Sequence, residues 1–177
     1  MAKGKSVLSL GAGAGSGYFG SSKYKGYGYT YRSIPSIHLG FEHGISEAIP
    51  KSIIGLGGSL SFWHGSQHYN DKFGRTWDKS WTDVTTLVKG YYHHKFLVSD
   101  KWDVYAALMA GVRYRTYTFT TSDQYYNYEN RNETGAYPAG GIAVGGRIYV
   151  SKKFGFYAEA GTGVNVDYIQ VGMALKL

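Results

Sequence analysis

The segment Val104-Tyr105-Ala106-Ala107-Leu108-Met109-Ala110-Gly111-Val112-Arg113-Tyr114 decides the fold class. Its even positions are apolar without a break, and its one charge, Arg113, falls on an odd position. That is the two-residue period of a strand with one apolar face. The same pattern recurs on both sides along the chain. Toward the N-terminus lie Leu8 to Ala14, Ile37 to Phe41, Ile54 to Phe62 and Val84 to Tyr92; toward the C-terminus lie Ile142 to Val150, Phe154 to Ala160 and Ile169 to Leu177. Each segment is close to the roughly 9–11 residues with which a tilted strand crosses a bilayer. An even number lets a meander close with both ends on one side. The predicted fold is all-β: an eight-stranded antiparallel up-and-down transmembrane β-barrel, with residues 1–177 as a single domain.

The opposite parity differs in kind. It carries Ser9, Gly11, Gly13, His38, Gly40, Gly55, Gly57 and Gly145 beside Glu42, Lys89, Arg113, Arg147 and Glu159. A narrow eight-stranded barrel is filled by its own side chains, and glycine leaves room for long ones to cross. The five mid-strand charges all fall on this parity, although the outer face was assigned on apolarity alone. An Arg or Lys on the lipid face near midplane would cost about 2–4 kcal/mol. Asp167 has the outer parity and is expected at a strand tip.

The links alternate in length. Those near Ser46 to Lys51, Val98 to Lys101 and Ser151 to Lys153 are short, whereas Ser16 to Ser33, His64 to Trp81 and Thr121 to Pro138 read as long loops. Gly163 to Asp167 is the short member of the second set. Short turns at one end and long loops at the other are the habit of outer-membrane barrels. Phe96, Trp102, Phe154 and Phe156 are expected at the interface of the short-turn end, and Tyr31, Phe62, Trp81 and Tyr114 at the other.

Composition narrows the function classes. The formal charge is +7, but the basic residues are scattered, which argues against nucleic acid. The chain contains 0 Cys, so it has neither a disulfide framework nor thiolate chemistry. No apolar run approaches the length of a transmembrane helix. The start Met1-Ala2-Lys3-Gly4-Lys5 lacks the features of a signal peptide, so the expectation is a mature outer-membrane chain.

The hairpin Asp100-Lys101-Trp102-Asp103-Val104-Tyr105-Ala106-Ala107-Leu108-Met109-Ala110-Gly111, the segment Phe156-Tyr157-Ala158-Glu159-Ala160-Gly161 and the alternating last strand carry a resemblance. With its strands laid out, the chain resembles the small outer-membrane barrels typified by the OmpA transmembrane domain and OmpX, most closely the OmpX-like proteins of Bacteroidota. It ends in Leu177, where proteobacterial relatives usually end in Phe. The resemblance implies a Gram-negative outer membrane with its lipopolysaccharide as surroundings. It also implies the barrel-assembly machinery as a partner in biogenesis, a monomer, and no cofactor.

Three constellations could carry chemistry. Glu42, Lys89, Arg113, Arg147 and Glu159 share the interior, either as a plug of paired charges or as the gate of a small pore. His64-Gly65-Ser66-Gln67-His68 resembles the His-x-Ser part of outer-membrane lipid A deacylases, with Gln67 where that family has Asn and no acid in evident reach. His93-His94 point to opposite faces of a strand, so a shared metal is not expected. The Tyr-rich stretches, with Tyr24, Tyr27, Tyr29, Tyr31, Tyr125, Tyr126 and Tyr128, are the candidates for contact with a protein partner. The leading expectation is a non-enzymatic membrane barrel with a structural, adhesive or partner-binding role. The alternatives are a lipid A-modifying hydrolase, a small gated pore and a soluble lipocalin-like barrel.

Overall fold

The computed structural model describes residues 3–14, 20–24, 28–47, 52–99, 101–125 and 130–177, with the backbone alone for 20–24. Ten strands are present among them. They are β1 (Ser6–Ala14), β2 (Gly20–Tyr24), β3 (Tyr29–Ser33), β4 (Ser36–Ser46), β5 (Ser52–Asn70), β6 (Thr76–Val98), β7 (Trp102–Thr121), β8 (Arg131–Tyr149), β9 (Phe154–Val164) and β10 (Ile169–Lys176). Every pairing is antiparallel, and the pairs β10–β1 and β5–β6 close a ring of β1, β4, β5, β6, β7, β8, β9 and β10. The fold is an eight-stranded up-and-down barrel.

The ring is sheared. Stepping from Ala14 to the opposite residue on each successive strand runs through Ile169, Ala160, Val144, Ala106, Tyr92, Ile54 and Ser46. It returns to β1 below Ser6, a stagger of roughly ten residues, and that stagger tilts the strands against the barrel axis.

The eight predicted strands lie in the ring with the predicted parity. Leu108, Ile142 and Val144 are 68%, 59% and 62% exposed on the outer wall. Their neighbours in sequence Met109, Ala143 and Gly145 turn inward. On β7 the outer apolar run from Trp102 to Tyr114 spans about 30 Å of barrel height at ordinary strand rise and tilt. Glycine makes the interior possible. A Cβ at Gly55 would lie 2.6 Å from Glu42 Oε1, and one at Gly145 would lie 2.5 Å from the Tyr105 ring.

Two sequence expectations about the long-link end are corrected. The link His64 to Trp81 is mostly strand, and strand takes up much of the described part of Thr121 to Pro138: β5 and β6 stay paired up to Asn70 and Thr76, and β7 and β8 up to Phe119 and Arg131. Alternation continues in both stretches, but with Thr and Ser on one face and aromatics on the other, so it carries no apolar-against-polar signal. β3 also pairs with the upper part of β5, and β2 pairs with β3. Between β3 and β4, Ile34 and Pro35 together face His64 across a bulge; Pro35 has no N–H to give to the ladder there. Six strands therefore rise past the mouth as a wall, while β1, β9 and β10 stop short.

The second correction concerns Tyr31 and Trp81. Both lie on the inner face of this wall, opposite Gln67 and Gly65, and not on the outer face with Phe62 and Tyr114. An insertion of one residue at the bulge and a strand longer than the membrane span shift what they face.

Candidate functional site

The lumen holds three tiers of ion pairs. Near the short turns, Arg147 donates to Glu42 Oε2 at 2.5 Å and to Asp103 Oδ2 at 3.2 Å. His93 sits between the same two carboxylates, with Nε2 2.7 Å from Glu42 Oε1 and Nδ1 2.7 Å from Asp103 Oδ1. Two basic side chains, Arg147 and His93, thus face the same two carboxylates. The Arg147 guanidinium also lies 4.4 Å from the centre of the Tyr105 ring.

In the middle tier Lys89 Nζ donates to Glu159 Oε1 at 2.7 Å, and the Tyr105 hydroxyl to Glu159 Oε2 at 3.1 Å. In the top tier Asp83 receives Arg115 at two 2.7 Å contacts and lies 3.4 Å from Arg113. Arg113 reaches the Asn165 carbonyl at 2.7 Å. Beside it the Asp167 carboxylate accepts from Ser36 and lies 2.5 Å from His38 Nε2. The free space between the middle charges is a cavity of about 20 Å³, lined by Lys89, Tyr91, Tyr105, Arg147, Tyr157 and Glu159 among others. That is room for about one water.

Of the sequence-chosen charges, Glu42 meets Arg147 and Lys89 meets Glu159, while Arg113 belongs to a separate group with Asp83. His93, Asp103, Asp83 and His38 were missed as partners, although each has the inward parity, which was the available signal. Asp167 stands at the strand tip where it was expected, but it is buried against His38 and does not face outward as its parity suggested. Lying beyond the last residue of β9 and before β10, it escapes strand alternation.

The His-x-Ser stretch lies on the outer face of β5. His64 Nδ1 is 2.9 Å from Thr82 Oγ1, and the nearby carboxylate, Asp78, pairs with His68 at 2.5 Å. No acid is hydrogen-bonded to His64 among the described residues. His93 and His94 diverge, the first buried in the lower tier and the second accepting from the Phe96 N–H at 3.3 Å.

The wall has two faces of opposite character. In register order, Phe62, Val84, Tyr114 and Ala136 form one outer row, and the next row is His64, Thr82, Thr116 and Thr134. Apolar gives way to hydroxyl within one step of two residues. The inner face carries the rows Tyr31, Gln67, Lys79, Phe119, Arg131 and Ser33, Gly65, Trp81, Tyr117, Glu133. Trp77 tilts against Phe119 at 6.1 Å and Trp81 against Tyr117 at 5.7 Å. Tyr29 stacks on Tyr69 at 4.3 Å. Of the tyrosines expected to make contacts, Tyr29 and Tyr31 are in β3, and Tyr24 is in β2. Tyr125 is exposed beside the β7–β8 turn, and Tyr27, Tyr126 and Tyr128 lie outside the described residues.

The tips are fastened together. In the turn after β5, Asp71 accepts from the N–H groups of Phe73 at 2.8 Å and Arg75 at 3.0 Å. Arg75 then bridges Asp71, at 2.5 Å, to Asp123 at the next tip, at 2.8 Å. Desolvation pushes the Asp71 carboxyl up, but the two N–H donors and the Arg75 guanidinium outweigh it and hold it below the usual carboxylate range.

No family model matches the chain, and neither does any curated protein. Among the solved structures similar to it are two of one protein. Ail, the attachment invasion locus protein of Yersinia pestis, in complex with the heparin analogue sucrose octasulfate, is 14% identical with a TM-score of 0.47, over 99% of this chain and 96% of Ail. A second crystal structure of Ail gives 15% and 0.45 over the same shares.

Proposed function

We propose that the protein, as one unit over residues 1–177, is an integral barrel of a Gram-negative outer membrane that works through its wall. The short turns face the periplasm and the wall stands outside, in contact with partners there. The observation that carries this reading is the outer face. An apolar belt surrounds a closed barrel whose mid-strand charges Glu42, Lys89, Arg113, Arg147 and Glu159 are turned inward, and it ends where the Thr-rich row begins. Water has no such belt to stabilise, whereas a bilayer does.

The lumen network, Glu42 with Arg147 and His93, Lys89 with Glu159, and Arg113 with Asp83, serves as a plug that specifies the barrel. A cavity with room for about one water between the middle charges supports a plug over a path for hydrated ions or a lipocalin-type ligand site. The outer Thr and Ser residues sit where lipopolysaccharide sugars lie and can hydrogen-bond to them. The barrel reaches the membrane through the barrel-assembly machinery and is a monomer there. The sequence stretches 100–111 and 156–161 support placement beside the OmpX-like proteins of Bacteroidota.

The test is gel migration of the full chain refolded in detergent, with and without boiling. A heat-dependent shift is expected. Full solubility in plain buffer with no shift would overturn the membrane reading. In planar bilayers the refolded chain should pass no current above lipid background.

A further inference from the structure

The short turns that join β6 to β7 and β8 to β9 are built alike. Ser99-Asp100-Lys101-Trp102 and Ser151-Lys152-Lys153-Phe154 share the pattern Ser-x-Lys-aromatic. In the first, Ser99 Oγ accepts from the N–H groups of Lys101 and Trp102, each at 3.2 Å, and the Ser99 N–H donates to the Trp102 carbonyl at 2.7 Å. In the second, Ser151 Oγ accepts from the N–H of Lys153 at 3.4 Å and of Phe154 at 3.0 Å, and the Ser151 N–H donates to the Phe154 carbonyl at 3.1 Å. A hydroxyl that satisfies two turn N–H groups fixes the backbone there. Each turn therefore holds a lysine at a set position beside an aromatic residue.

The rings belong to the lower end of the apolar belt. Trp102 is 56% exposed on the outer wall and lies opposite Ile148, which lies opposite Phe156. Phe154 packs edge-on against Phe156 at 5.4 Å. The lysines begin where these residues end. The two turns stand two strands apart, roughly 10 Å.

The charges here are unmatched, unlike those of the lumen. Among the described residues, Glu47 is the exposed side-chain carboxylate at this end, and Lys95 takes it at 2.6 Å. Glu42 and Asp103 are buried in the lower tier. Lys101, Lys152 and Lys153 are exposed and have no carboxylate partner among the described residues. Aromatic rings favour the headgroup level of a bilayer, and a lysine stem lies along apolar surface while its ammonium reaches out to a charged group. At that level the charged groups of opposite sign are lipid phosphates.

We propose that the twin turns bind an anionic phospholipid. Its acyl chains lie along Trp102, Ile148 and Phe156, and Lys101, Lys152 and Lys153 hold its headgroup between the turns. The inference rests on the membrane placement argued above and adds the class of lipid. An acidic protein docking from the aqueous side would leave the rings without a role.

The test is native mass spectrometry of the full chain, refolded in detergent and mixed with equal amounts of dioleoyl phosphatidylglycerol and dioleoyl phosphatidylcholine. The two lipids share their chains, so only the headgroup differs. The anionic lipid should be retained at least fivefold over the zwitterionic one. Lys101→Gln and Lys153→Gln should each lower that preference about fivefold, and Lys101→Arg should keep it. Lys79→Gln, on the wall at the other end, removes the same charge and should leave it unchanged. Polyglutamate at an equal concentration of charges should not displace the lipid. Equal retention of the two lipids, indifference to both Lys101→Gln and Lys153→Gln, an equal loss in Lys79→Gln, or displacement by polyglutamate each overturns the proposal. The heat-shift gel on the same samples separates the cases: a lost shift counts against the barrel reading, and a retained shift without lipid preference counts against the headgroup site alone.

Discussion

Below the row Phe62, Val84, Tyr114 and Ala136, strands β5 to β8 are part of a tube that closes on itself and is filled; above it, the same four strands run on as a sheet with one side open. The chain does not change its local conformation at that row. What changes is the solvent on each face. In the proposed membrane placement the outside of the tube meets lipid and the inside excludes water, so charges must find partners inward. In the wall both faces meet water, so the inner face can display rings and a cation without a carboxylate. One pattern of hydrogen bonds thus supports a region whose buried charges are paired and a region whose inner face carries aromatic pairs.

This contrast can be broken most strongly from inside the tube. Arg147→Ala would leave Glu42 and Asp103 with one cation fewer in a buried tier. A loss of about 3–5 kcal/mol is expected, read from urea unfolding of the refolded barrel. A double change of Glu42 and Arg147 to apolar residues should cost less than Arg147→Ala alone; equal cost would mean that the pair matters for something besides its charge balance.

A charge on the outer wall tests where the solvent changes. Leu108→Arg should cost about 2–4 kcal/mol in lipid vesicles, and Thr118→Arg, beyond the boundary row, should stay within about 0.5 kcal/mol. Equal costs would erase the boundary. On the inner face of the wall, Trp81→Ala removes the contact with Tyr117 and should cost about 0.5–1.5 kcal/mol beyond the area lost, seen as faster amide exchange confined to the upper parts of β6 and β7.

The smallest effect is one of pH at the tip. The Asp71 carboxyl is lowered, so the order it gives the turn is present above the usual carboxylate pKa and is lost as pH falls through the lowered value. Exchange of the Phe73 and Arg75 amides should accelerate in acid in the native chain, and in Asp71→Asn it should be faster at neutral pH and flat with pH across that range. No difference between the two would remove Asp71 as the fastener.

Much of the tube was legible because a bilayer imposes a rule on every second residue. Leu108 and Met109 are both apolar, yet their faces could be told apart from the run of neighbours on each side. The wall was not legible for the same reason. Thr116-Tyr117-Thr118-Phe119-Thr120 alternates as strictly as the tube, but β-branched polar and aromatic residues read as loop when the search is for apolar against polar. Asp167 lies at the expected strand tip but turns inward, because parity stops at the strand end.

The sequence by itself determined that the chain alternates with period two, that its apolar face runs past eight crossings, and that Glu42, Lys89, Arg113, Arg147 and Glu159 share the other face. These follow from local geometry, since side chains on a strand point alternately to its two sides. Tertiary structure alone decided which charge meets which, that His93 bridges Glu42 and Asp103, and that Lys79 and Trp81 share the inner face of the wall with Phe119 and Tyr117. Those contacts depend on register and shear between strands far apart in the chain, and a one-residue slip in any pairing would reassign them all.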